Sequence, residues 1–146
     1  MNNPYYELGN GKQIKDINHF LAAHISNTFE YLFRAGRKKD NDFDAEIQKV
    51  MDNVAYEIER QKIYPCPPTL QSAFLYRKEL SDMLFTAMNK IENQFAKKVF
   101  KFLYEYVMYE RRSSLKSAYA LLVSYFKKDF VYIDMYSSYV FKEPLK

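Results

Sequence analysis

Tryptophan is absent from these 146 residues, and there is a single cysteine, Cys66. A lone thiol cannot close an internal bridge, which excludes the small secreted domain held together by disulfides. A structural zinc site is excluded on similar grounds. It needs clustered ligands, and the two histidines, His19 and His24, stand five apart with no cysteine pair beside them. The chain also lacks any apolar run of about 18 residues, so nothing in it reads as a membrane span. The opening residues show neither a basic segment nor an apolar one, so no secretory signal is expected and the cytoplasm is the expected compartment. Neither a GxSxG turn nor a GxxxxGK[ST] loop occurs, which excludes the common serine hydrolase and P-loop kinase designs.

Glycine and proline are scarce, and their placement organises the chain. Glycine occurs only at 9, 11 and 36, and proline only at 4, 65, 67, 68 and 144, so positions 69–143 hold neither. Sheets need turns, and turns draw heavily on these residues. The sequence therefore predicts an all-α helical bundle with long amphipathic helices. An apolar content of 48% against 27% charged residues excludes a disordered chain. One domain over residues 1–146 is expected, with a hinge of prolines near 65–68 dividing it into halves.

Residues 1–12 read as an irregular arm turning at Leu8-Gly9-Asn10-Gly11. Helices are predicted over 13–23 and 26–35, with Gly36 placed to end the second. The next helix starts near Asp42 or Asp44 and runs to about 62, with Ile47, Val50, Val54 and Ile58 on one stripe. Beyond the hinge, Leu80, Leu84, Ala87, Ile91, Phe95, Val99, Phe102, Tyr106 and Tyr109 recur every three or four residues, predicting one long helix or two with a break near Asn89 or Asn93. A further helix is expected over 114–126, and residues 130–141 suit a short strand or a final helix equally. So long a stripe also offers apolar surface to a second copy, which points to a homodimer.

Charge is unevenly placed. Residues 1–64 hold nine Lys and Arg against ten Asp and Glu, whereas residues 65–146 hold thirteen against eight. Nine of the fourteen tyrosines also lie beyond Pro65. Tyr and Arg are enriched at binding hot spots, so Lys97, Lys101, Arg111, Arg112 and Tyr119 are candidate partner-binding residues. Direct nucleic-acid binding ranks below a protein partner, because these cations form no recognised nucleic-acid motif. A separate cluster, Arg34, Arg37, Lys38 and Lys39 around Gly36, has the chemistry to hold phosphate oxygens. The same cations would also suit a helix C-terminus simply by complementing its dipole.

Residues 5–60 resemble a small phage protein family described as nucleotide-kinase-like. Its pattern reads Gly-Asn-x-x-Lys-Tyr-x-x-Arg-Ala-Gly-x-Lys, followed by an acidic helix with Glu-Asp-Leu-x-Lys-Ala. Asn27, Tyr31, Arg34, Ala35, Gly36 and Lys38 match the first motif, and Ile47 and Lys49 match the second, with Asp16 agreeing upstream. The chain departs from the pattern at Tyr5, Gln13, Ser26, Glu30 and Glu46, which replace His, Glu, Gly, Lys and Asp. The resemblance implies nucleotide as the ligand and, where active, phosphorylation of a nucleoside monophosphate. It implies that Arg34, Gly36, Arg37, Lys38 and Lys39 grip phosphate, that Asn27 and Tyr31 orient the nucleotide, and that Asp16 or Glu46 is the catalytic acid. No cofactor is implied beyond the nucleotide. The competing expectation is a non-enzymatic inhibitor of a host defence protein, anti-CRISPR-like, acting in the host cytoplasm through the basic, tyrosine-rich second half.

Overall fold

The computed structural model describes residues 7–9, 11–35, 37 and 42–127. Gly36, Lys38, Lys39 and the segment 130–141, on which the sequence placed phosphate contacts and a final strand or helix, lie outside the described residues. Among the described residues the architecture is all-α, as predicted, apart from one small hairpin. Strands β1 (Glu7–Gly9) and β2 (Lys12–Gln13) pair antiparallel, replacing the irregular arm expected there. Gly9 and Gly11 make this turn with φ of 99° and 75°, a backbone region that other residues enter at a cost.

The predicted helix over 13–23 is corrected to a short 3-10 helix, Ile14–His19. Ile14 and Ile17, both at 0% exposure, sit three apart and suit three residues per turn. The chain then leaves helical geometry to pair with the proline hinge. Leu21 bridges Thr69, Ala22 N–H donates to Pro68 O at 2.8 Å, and Leu70 N–H donates to Phe20 O at 2.8 Å. Backbone groups committed to that bridge cannot continue a helix.

Helix α1 (Ala23–Arg34) begins three residues before its expected start and is followed by α2 (Phe43–Ile63). Asp42 caps α2, its carboxylate accepting from Asp44 N–H at 3.0 Å. Beyond the hinge come α3 (Gln71–Leu75), α4 (Arg77–Lys90), α5 (Gln94–Tyr109) and α6 (Arg112–Lys127). The break expected near Asn89 or Asn93 falls at 91–93, where Asn93 caps α5 by accepting from Ala96 N–H at 2.9 Å. Glu110 ends α5 in the left-handed region at φ 52°.

One core joins both halves, running from Leu8 to Leu122. It is centred on α1, which packs against α2, α4, α5 and the 3-10 helix. Phe29 of α1 meets Phe100 of α5 edge-on at 4.8 Å between ring centres. The long stripe supplies this core: Leu80, Leu84, Ala87, Ile91, Val99 and Tyr106 are buried within the chain. It is therefore not the free surface that a homodimer was expected to use. Tyr109, at its end, is 57% exposed. Among the described residues, no helix is long and apolar enough to cross a membrane.

Candidate functional site

Asn27, Tyr31 and Arg34 are four and three residues apart on α1, which places them on one helical face. Helix α2 returns alongside α1 and brings Glu46 to meet them. Arg34 Nε donates to Glu46 Oε2 at 3.2 Å, and the Glu46 side chain is only 3% exposed. Lys49, one turn further along α2, lies 3.7 Å from Glu46 Oε1. Both cations also lie over the Tyr31 ring, with the Arg34 guanidinium 4.8 Å and the Lys49 ammonium 5.4 Å from its centre. Glu30, half-buried beside Arg34 and within the field of Lys15, has its carboxyl pushed up by burial, which outweighs the two cations.

The structure thus gathers Tyr31, Arg34 and Glu46, with Asn27 exposed one turn earlier on the same face. Arg37 is turned elsewhere: it lies 4.6 Å over the Phe33 ring and reaches Lys90 O at 3.5 Å. Asp16 accepts from Gln13 N–H at 2.9 Å and so holds the start of the 3-10 helix. The N-terminus of α2 is occupied by its own Asp42 and by Asp44, which accepts from the Tyr125 hydroxyl. With these two carboxylates in place, the positive end of the α2 dipole is already complemented by the chain's own side chains.

A second polar cluster escaped the sequence. Glu57, at 0% exposure, sits among donors from three elements. Arg60 grips it with a fork, Nε to Oε1 and Nη2 to Oε2, both at 2.7 Å. His24 Nε2 lies 2.5 Å from Oε1, the Tyr106 hydroxyl donates to Oε2, and Gln61 Nε2 donates to Oε2 at 3.3 Å. Burial opposes the charge on Glu57, yet the hydrogen bonds from Arg60, His24 and Tyr106 prevail and hold its carboxyl down at about 2. Burial and the adjacent Glu57 push the Tyr106 hydroxyl up. The cluster also fixes the hinge, because Arg60 Nη2 and Gln61 Nε2 both donate to Cys66 O, at 2.8 and 2.6 Å.

Two hollows flank the hinge. One of about 200 Å³ is lined by Gln61, Cys66, Tyr106, Glu110 and Arg112 with the prolines. The other, about 370 Å³, lies between α3, α4 and the end of α5. Arg112 is thus placed at the smaller hollow, while Arg111 pairs with Glu105 at 3.1 Å. Lys97 is half-buried and Lys101 exposed in the first half of α5, away from Arg111 and Arg112 beyond its end. Tyr119 packs half-buried against the core. The five partner-binding candidates are therefore spread over both ends of α5 and the middle of α6. Among the described residues, no three His, Cys, Asp or Glu side chains gather as metal ligands.

No family model matches this chain, and neither does any curated protein or solved structure.

Proposed function

We propose that the chain binds the phosphate of a (deoxy)nucleotide at the α1–α2 end. The observation carrying this is the meeting of Arg34, Tyr31 and Lys49 around the buried Glu46. A buried carboxylate holding a guanidinium sets the direction of its planar fork, and such a fork suits phosphate oxygens. Lys49, with its side chain 51% exposed, adds a point charge within reach of solvent. Asn27 contacts sugar or base from the same face.

In this reading Glu46 positions Arg34 and moves no proton. Phosphoryl transfer depends chiefly on positioning and charge stabilisation, so a site without a P-loop is chemically acceptable. Turnover is nevertheless expected to be weak or absent. Tyr5, Gln13 and Glu30 stand where the resembled family has His, Glu and Lys, which removes or reverses three ionisable groups. Nucleotide pools place such a protein in the cytoplasm, the host's if a phage encodes it.

Isothermal titration at low salt with dGMP, dTMP and their triphosphates tests the reading. The expected result is saturable binding with a Kd of about 1 mM or tighter. Absence of heat, together with an unchanged thermal midpoint at millimolar nucleotide, would refute it.

A further inference from the structure

The segment after the proline hinge carries apolar side chains that the fold leaves uncovered. Phe74 is 85% exposed, Leu75 67%, Tyr76 55% and Leu70 46%, all on or beside the five-residue helix α3. Tyr109, 57% exposed at the end of α5, lines the larger hollow together with Phe74. This platform is firmly held. Ala73 is buried beneath it, Ser72 Oγ donates to His19 O, and the bridge between 20–22 and 68–70 anchors its base. A rigid surface with this much apolar exposure is a mark of an interaction site.

We propose that this face joins two copies of the chain, with Phe74 of each copy seated in the hollow beside Phe74 of the other. Three observations favour a second copy over another occupant. First, the protruding ring and the hollow lie on one face, as a two-fold contact requires, since both partners must present the same patch. The hollow, about 370 Å³ and floored by Ala73, Leu80, Val107 and Met108, has room for a phenyl ring, because a void of about 150 Å³ already accepts benzene. Second, the area suffices. Five partly exposed side chains of this kind present about 600 Å² between them, and the stems of Arg77 and Lys78 bring the patch toward the roughly 800 Å² per partner of a standard interface.

Third, the charges around the face balance. Arg77 and Glu110 line the hollow together, and the adjoining Lys78 and Arg111 are paired with Asp82 and Glu105, whereas the whole chain carries +4. Two copies can therefore approach here without net repulsion, and neither a strongly acidic partner nor an anionic lipid surface is specially favoured. The face lies at the α1 end that begins near the hinge, about 17 Å along that helix from Arg34, so pairing leaves the α1–α2 site open. The dimer is independent of the nucleotide reading.

Sedimentation equilibrium of the full chain from about 1 µM to about 1 mM tests the proposal. The expected result is a mass rising from 17.5 kDa to twice that value. Phe74→Ser should weaken association at least about tenfold with unchanged far-ultraviolet circular dichroism, since its ring is not part of the core. Phe85→Ser, which alters a 51% exposed ring on α4, should leave association as in the wild type. A monomer throughout the range, or a dimer that Phe74→Ser does not weaken, overturns the proposal.

Discussion

Replacing Glu57 with Gln should cost the fold about 3 kcal/mol near neutral pH. The magnitude follows from the buried carboxylate, which Arg60 and Tyr106 engage directly and His24 approaches to 2.5 Å. A carboxyl moved from its ordinary value of 4.5 to about 2 is linked to about 3 kcal/mol of folding free energy. The amide keeps the shape but loses the charge, and it presents an NH₂ group to side chains that are themselves donors. The contribution is complete above 4.5 and is lost as pH falls from there through about 2, because the folded state holds the deprotonated form. Urea unfolding followed by circular dichroism reads both effects. Wild type should exceed the variant by about 3 kcal/mol at about pH 7, and that gap should narrow by about 1–2 kcal/mol on reaching about pH 3. A gap below about 1 kcal/mol at neutral pH, or one that stays constant on acidification, would refute the role assigned to the cluster.

Glu110→Gly should stabilise the chain by about 0.5–1 kcal/mol, because φ 52° costs a residue with a Cβ and costs glycine little; urea midpoints measure it, and a loss of stability would contradict it. Asn93→Ala should lower stability by about 1 kcal/mol by freeing the Ala96 N–H that its side chain caps; an unchanged unfolding midpoint would mean the cap contributes nothing.

The sequence predicts the helices where local chemistry decides them. Asp42 and Asn93 are capping residues by type, and both cap. Ile47, Val50 and Val54 recur with helical period and are buried. The helix expected over 13–23 fails because its end is set by a partner about fifty residues away: Phe20, Leu21 and Ala22 pair with 68–70, and no local pattern announces that. Phe74 is apolar like the stripe that begins at Leu80, yet it sits on the short α3, which ends at Leu75, and the Phe74 ring faces solvent.

The α1–α2 site was half visible. Spacing puts Asn27, Tyr31 and Arg34 on one face, but only the packing of α2 against α1 shows that Glu46 is the acid that Arg34 meets. Glu57 was hidden for the same reason, since its bonds to His24 and Tyr106 cross 33 and 49 residues. Periodicity describes a face of one helix and is silent about which face it meets.

In the proposed function Arg34, held by Glu46, receives a phosphate. Titrating dGMP and deoxyguanosine into wild type and into Arg34→Ala tests it most directly. Wild type should prefer the monophosphate to the nucleoside by at least about tenfold, and Arg34→Ala should lose this preference while remaining folded. Equal affinities for the two ligands in wild type, or a preference that survives in Arg34→Ala, would contradict it.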